Sequence, residues 1–459
     1  MMSEFRRSLF VFRRDLRIED NTALMKAIDS SQKVIPCFIF DPRLANPERE
    51  NFNDNAFQFL LESLEDLRSQ LESKGGRLYM FSGMPEDVIG MLADEIGIDA
   101  VFLNEDYTPF SRQRDESIRN VCNNMNVRLL QFHDCLLNEP ATVFTQKGKP
   151  YSVFSQFYHA ASANLVPVPS TMVESNFYTE DLGLEEITDI DRLLNVRNDC
   201  IFTHGGRYNA LKVLENISRF KDYDYERDYP SVNGTTGLSA HNKLGTISIR
   251  EFYHIVKDEL GAGHSLIREL YWRDFFTYIA YHYPYVFKCA FKEKFEKISW
   301  DYNMPAFGEW CSGNTGFPIV DAGMRELNST GYMHNRVRMI VASFLVKDLH
   351  LDWRWGERYF ASKLVDYDPC VNNGNWQWAA STGADSQPFF RIFNPWLQQR
   401  KYDPQCEYIK KWVPELAGVN PKIIHALEKT ELPDDTGYRQ PMVDHSLERA
   451  RSLVIFRSV

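Results

Sequence analysis

Over its first 135 residues the chain alternates short apolar runs with amphipathic stretches, and nothing else in the sequence limits the fold as strongly. The runs "SLFVF" (8–12), "KVIPCFIF" (33–40), "RLYMF" (77–81), "AVFLNED" (100–106) and "VRLLQF" (127–132) are rich in branched and aromatic residues, as buried strands are. Between them, 21–31, 53–74, 85–97 and 110–125 read as helices. In the second, Phe57, Leu60, Leu64, Leu67 and Leu71 recur at three- and four-residue spacing and make one apolar stripe. Pro85-Glu86-Asp87 opens the third with a proline and negative charge, both suited to a helix N-terminus. This pattern predicts a Rossmann-like, doubly wound α/β domain over 1–135 with a parallel five-stranded sheet.

The usual dinucleotide fingerprint is missing from that domain. The first strand runs into "RRDLRIEDN", with no GxGxxG to let the backbone approach a pyrophosphate. "GAGHSL" (261–266) lacks the third glycine and follows no strand, so it reads as a helix-start loop. Residues 136–200, with Pro167, Pro169 and the acidic "TEDLGLEEITDIDR", read as an inter-domain connector lying over the surface. After His204-Gly205-Gly206, helical periodicity covers 207–222, 246–260, 264–282, 317–330, 332–349 and 355–365. A larger all-α domain is expected over 201–459.

Charge and cysteine usage narrow the function classes. At −11 the chain is no polycation, so nucleic-acid binding would need a local Lys/Arg patch. The eight cysteines form no CxxC pair, which reads as reduced thiols without a metal site. The basic N-terminus lacks a signal-peptide core, and no run approaches a membrane span; a cytoplasmic protein without membrane contact is expected. Aromatic residues make up 14%, which fits rings gathered around something flat and equally fits a large aromatic core.

Several stretches in the second half could carry chemistry. In "RELYWRDFF" (268–276), Glu269, Trp272, Arg273 and Phe276 share one helix face, an arrangement costly in a dry core but ordinary for a helix edge with an ion pair. On the helix of 332–349, Asn335, Arg338 and Met339 are neighbours on one turn; His334 reads as structural before it reads as a base. "NGTTGLSAHNKLGTIS" (233–248) has glycines and hydroxyls that cradle phosphate or make an ordinary turn and cap. "DYDPCVNNGNWQWAAS" (366–381) joins two carboxylates, an Asn-rich Gly turn and two tryptophans one residue apart.

Together with "FRRDLRIEDN", "LNSTGYMHNRVRMIVASFLVKDLHLDWRWGERYF" and "FFRIFNP", in that order, these stretches resemble the photolyase/cryptochrome family from residue 8 to about 415. The likeness is greatest to its bacterial-type cyclobutane pyrimidine dimer photolyases. The resemblance implies an α/β antenna domain, a helical domain holding FAD that is fully reduced in the active state, and light-driven splitting of dimers in DNA by electron transfer. It places the FAD phosphate loop on Tyr223, Thr235, Thr236, Leu238 and Ser239, with further FAD contacts at Arg273 and Asn335. Arg338 and Asp366 are implied as an ion pair beside the flavin ring, Asp368 as a second carboxylate facing it, and Asn372 as the residue opposite flavin N5. Plant cryptochromes carry an acid at that last position and insect ones a cysteine.

The resemblance also implies a dimer pocket of Glu269, Trp272, Asn335, Met339 and Trp378, with a buried, protonated Glu269 donating to a thymine carbonyl. Trp376, Trp353 and Trp300 fall on an electron-entry chain, and Arg227, Arg336, Arg391 and Lys401 on positions that hold DNA phosphates. Asn335 and Met339 stand where photolyases for (6-4) lesions carry two histidines, and Trp272 and Met339 where the single-strand-preferring type usually differs. A cryptochrome-type photoreceptor acting by partner binding is the alternative; its long tail is not expected here, since about 45 residues follow the last motif. A monomer is expected. The family's folate-binding members have Asn-Glu before "RxRD", where this chain has Phe110-Ser111, although Lys288 retains another folate-side position. A second antenna chromophore is therefore left open between folate, deazaflavin and flavin.

Overall fold

The computed structural model describes residues 3–49, 52–172, 175–430 and 437–459. Strands β1 (Phe5–Phe12), β2 (Ser31–Phe40), β3 (Tyr79–Ser82), β4 (Ala100–Asn104) and β5 (Arg128–Phe132) form one parallel sheet in the order β3-β2-β1-β4-β5. Helices α1 (Thr22–Ser30), α2 (Asp54–Ser73), α3 (Pro85–Leu92) and α4 (Pro109–Asn124) connect them, and the side chains of Asn21, Asn53 and Thr108 cap three of these helices. Two cores, one on each face of the sheet, account for its apolar strands. The α/β reading of the sequence is thus found, with boundaries shifted by a few residues.

The order reverses between β1 and β4, the crevice where a doubly wound fold ordinarily receives a dinucleotide. Here "RRDLRIEDN" fills it with charge. Arg13 bonds the Asn104 carbonyl and Asp115, Asn104 donates to Asp15 and Asn21, and Arg17 pairs with Asp134 at 2.7 Å. Arg250 reaches in from the second half to Asp20 and Asp134, both at 2.8 Å. Breaking one member of such a buried network costs about 3–5 kcal/mol. The missing glycine fingerprint is replaced by a lock between the two halves.

Residues 136–200 do more than cross the surface. Helix α5 (Phe154–Ala161) packs Phe154, Phe157 and Ala161 into the helical core, while Phe177 bridges to Val34 and Ile190 joins the core under the sheet.

The second half is helical: α6 (Arg207–Glu215), α7 (Tyr223–Glu226), α8 (Ser239–Leu244), α9 (Ile249–Leu260), α10 (Ser265–His282), α11 (Met304–Ser312), α12 (Pro318–Thr330) and α13 (Asn335–Ser343), followed by α14 (Trp353–Ala361), α15 (Pro369–Ala380), α16 (Pro395–Tyr402), α17 (Glu407–Trp412), α18 (Pro421–Ile424) and α19 (His445–Arg457). One expectation is corrected. The Asn-Asn-Gly of 372–374 is no turn; it lies inside α15, which Asp368 caps and Pro369 opens. Asparagine and glycine weaken a helix by up to about 1 kcal/mol each, and tertiary packing overrides that preference here. A Cβ on Gly374 would collide with the Phe276 ring, so this glycine sets how closely α15 approaches α10.

Candidate functional site

Polar side chains gather where α8, α10, α13 and α15 converge. On α13, Arg338 sends Nη2 to Asp366 at 2.9 Å and Nε to the Met333 carbonyl at 2.7 Å. Ser239, first residue of α8, donates its Oγ to the same Asp366 oxygen at 2.6 Å. The other oxygen of Asp366 is buried and accepts nothing among the described residues. Buried carboxylate oxygens are rarely left so, and this one fits a ligand N–H.

Asp368, expected as a ring-facing carboxylate, has both of its oxygens engaged by the protein. Its Oδ1 caps α15 by accepting from Cys370 N and Val371 N, and its Oδ2 pairs with Arg14 from the β1–α1 loop. Arg14 and Arg273 hold its pKa below the usual carboxylate value against the effect of burial. One turn along α15, Asn372 gives its Nδ2 to Glu357 at 3.0 Å, which leaves Oδ1 as the free end of the amide. Burial pushes the Glu357 carboxyl up, and the Asn372 hydrogen bond opposes that shift. Arg273 is spent on the carbonyls of Cys135 (2.6 Å) and Asn242 (3.1 Å), so it braces the cleft floor from below.

The loop before α8 is tight: a Cβ on Gly234 would press on Glu226, and Gly237 sits at φ +66°. Thr235, Thr236 and Ser239 keep polar side chains accessible there, beside buried Leu238 and Tyr223.

Toward the surface, Trp272 lies flat on Phe154 with centroids 3.6 Å apart and planes 7° apart, and 5.5 Å from Phe276. Exposed Asn335 and half-buried Met339 are four residues apart on α13, hence on one face, and Trp378 is also half-buried. Glu269 is corrected: its side chain is 39% exposed and ion-paired to Arg227 at 2.7 Å, not enclosed. Partial desolvation still raises its pKa against the pull of Arg227. Arg227 is therefore already engaged, and Arg336 likewise pairs with Asp228 at 2.5 Å and lies over Tyr402. Exposed Arg391 and Lys401 have no carboxylate partner among the described residues. His334 caps α13, and burial lowers its pKa to about 4, which fits a structural role.

The three tryptophans of the expected chain occupy graded depths. Trp376 and Trp353 are each 2% exposed, and Trp300 is half-buried against Phe456. A Cβ on Gly356 would overlap the Trp376 ring, which puts Trp376 directly on α14, one turn from Trp353. A β-bridge pairs Asp301 with Leu351, drawing the backbone beside Trp300 to the start of α14.

Sequence reasoning missed Arg14, Glu357 and Phe154 as supports of this cleft. Arg14 stood in a motif that was read for the fingerprint it lacks and for the resemblance, with no role given to the arginine itself. Glu357 and Phe154 carry no local signal, because their partners are fixed by tertiary packing.

Among known proteins, the family model described as the FAD binding domain of DNA photolyase matches residues 266–458, and that described as DNA photolyase matches 8–173. A deoxyribodipyrimidine photo-lyase of Alkalihalophilus pseudofirmus is 36% identical over 468 residues, covering 97% of each chain. The crystal structure of an archaeal photolyase from Sulfolobus tokodaii with two FAD molecules is 44% identical, with a TM-score of 0.89 over 99% of this chain and 100% of that one. A Synechocystis cryptochrome is 27% identical, with a TM-score of 0.90 over 99% and 100%.

Proposed function

This chain belongs to the photolyase/cryptochrome family and is of the cyclobutane-dimer photolyase type, and from that premise we propose which of its residues do the work. It is a flavoprotein lyase of light-driven DNA repair, and the light-signalling alternative is not favoured. When bound, reduced FAD supplies on excitation the electron that splits a pyrimidine dimer and then takes it back.

The observation that carries the site assignment is the half-satisfied Asp366, clamped by Arg338 and Ser239 through one oxygen with the other buried and open. We assign that oxygen to a ring N–H of the flavin. The amide of Asn372, held at its nitrogen end by Glu357, would offer its oxygen to the bound flavin. Tyr223, Thr235, Thr236, Leu238 and Ser239 hold the pyrophosphate. Asp368 acts through α15, fixing the helix that carries Asn372, Trp376 and Trp378, rather than by touching the ring.

Photolyases are among the enzymes that extrude their target base, and a damaged base costs less to extrude. In this chain Trp272 and Trp378 flank the extruded dimer, Asn335 and Met339 close the α13 side, and Glu269 meets a thymine carbonyl. The Arg227–Glu269 pair couples docking to chemistry. A DNA phosphate that draws Arg227 away removes the charge favouring the Glu269 carboxylate, and the carboxyl takes up a proton it then donates as negative charge develops. Arg391 and Lys401 hold further phosphates, and Arg336 joins them once it leaves Asp228. Pre-reduced Glu269→Ala is expected to repair with a lowered quantum yield, measured as dimers split per photon absorbed. An unchanged yield contradicts this role.

A light-harvesting chromophore completes the proposal, and a flavin is favoured because the Sulfolobus tokodaii relative is described with two FAD molecules. No described helix is long and apolar enough to cross a membrane, and the cysteines are free thiols among the described residues. We read the chain as a cytoplasmic enzyme acting as a monomer on dimer-containing DNA.

A further inference from the structure

We propose that Phe154, tied in place by Asp385, fixes the plane of Trp272 and so sets how strongly the pocket prefers a dimer to undamaged bases. This rests on the reading above in which Trp272 and Trp378 flank the dimer. Phe154 is buried, and its ring lies cofacial with the Trp272 indole, centroids 3.6 Å and planes 7° apart. Aromatic pairs left to themselves favour offset or edge-on contact, so this arrangement is imposed by its neighbours. Phe275 meets both rings edge-on at 5.8 Å, and Arg268, one turn before Trp272 on α10, lies 5.4 Å over Phe154. With one face covered in this way, Trp272 can stack on a base only through the other.

The position of Phe154 is itself set from the far side of the pocket. Phe154 is the first residue of α5, and the residue before it, Val153, gives that helix no side-chain cap. Asp385 supplies one instead: its Oδ2 accepts from Phe154 N at 3.2 Å, across 231 residues of sequence. A carboxylate at this end also meets the positive pole of the helix. Asp385 lies in the loop between α15 and α16, after Trp378 and before Arg391. Lys292 braces that loop, its Nζ donating to Ser386 Oγ at 2.6 Å and its N to the Thr382 carbonyl at 2.9 Å. The Asp385–Phe154 hydrogen bond thus joins the segment that carries Trp378 to the stack that holds Trp272.

The chemistry of the lesion gives this joint its use. A cyclobutane dimer is a rigid wedge, because two new carbon–carbon bonds link its pyrimidine rings and take them out of plane. Two unlinked thymines keep flat rings and move independently. Walls held at a set angle and spacing fit the wedge and gain little from loose, flat bases. A Trp272 free to change rotamer would follow either. Phe154 touches neither base on this account and is a positioning residue.

The test is a binding measurement in the dark with the FAD-loaded protein. It uses an oligonucleotide bearing one thymine dimer and the same oligonucleotide without it. Phe154→Leu is expected to lower the ratio of the two affinities about tenfold, the size of one weakened base–aromatic stack. In a Trp272→Ala background the same substitution should lower the ratio no further, since its effect passes through that indole. Asp385→Ala should move the ratio in the same direction, and Asp385→Asn, which keeps an acceptor oxygen for Phe154 N, should restore it. If Phe154→Leu does not hold flavin, Phe154→Met and the two Asp385 variants carry the test. An unchanged ratio, an equal fall in both affinities, or a loss that persists without Trp272 would overturn the inference. A ratio unmoved by Trp272→Ala itself would sink the reading of the dimer pocket.

Discussion

Trp376→Phe is expected to stop light-driven reduction of the oxidised flavin while leaving the pre-reduced enzyme able to repair dimers. Trp376 is buried on α15, one turn from Asn372, and its ring rests on Gly356 of α14. Trp353 begins that same helix, and the Asp301–Leu351 bridge draws Trp300 to its start, nearer to solvent. Phenylalanine fills much of the indole's volume but is far harder to oxidise, so the substitution breaks electron entry with limited disturbance of packing. The rate of photoreduction should fall by at least tenfold, about 1.4 kcal/mol of barrier. Flavin absorbance under blue light with an external thiol reads the first effect, and dimer repair after dithionite reduction reads the second. Loss of both activities, with the flavin still bound, would show that Trp376 serves the repair step itself.

The second large effect is structural. Gly374→Ala places a methyl group where the Phe276 ring already lies, and neither neighbour has free space: Phe276 is buried between Trp272 and Phe275. Overpacking of this kind costs about 1–3 kcal/mol. The strain falls between α10 and α15, which carry Glu269, Trp272, Asn372 and Trp378, so flavin content should drop along with the melting temperature. Gly308→Ala is the matched control. It lies in α11 with nothing within 4 Å of the added carbon, and is expected to be neutral or stabilising by about 0.5–1 kcal/mol. Equal melting temperatures and flavin contents in the Gly374 and Gly308 variants would contradict this account of the helix approach.

The α/β half was readable because buried strands and amphipathic helices impose different periods on the same chain, and Leu64, Leu67 and Leu71 fall on the α2 face that the spacing marks. Helix α15 was not readable as a helix, since Asn372, Asn373 and Gly374 are turn formers by local preference. Their helical state depends on the Asp368 cap, on contact with α10, and on Asn373 and Gln377 donating to the Val286 carbonyl. The Arg338–Asp366 pair was legible only through the resemblance, and Arg14–Asp368 not at all, for its members are 354 residues apart. The buried Glu269 was implied by the resemblance, whereas the helix edge with an ion pair, which the spacing also allowed, is the arrangement found. Spacing shows which residues share a face but not how open that face is.

The central claim is that this cleft, with reduced FAD bound, splits pyrimidine dimers in DNA when it absorbs light. Its most direct test is to mix the purified, reduced, FAD-containing protein with an oligonucleotide bearing one thymine dimer, and to count intact dimers after blue light and after darkness. The account predicts that dimers disappear in the light at catalytic protein concentrations and persist in the dark. Dimers that persist in the light, with reduced FAD bound and the oligonucleotide held, would contradict it.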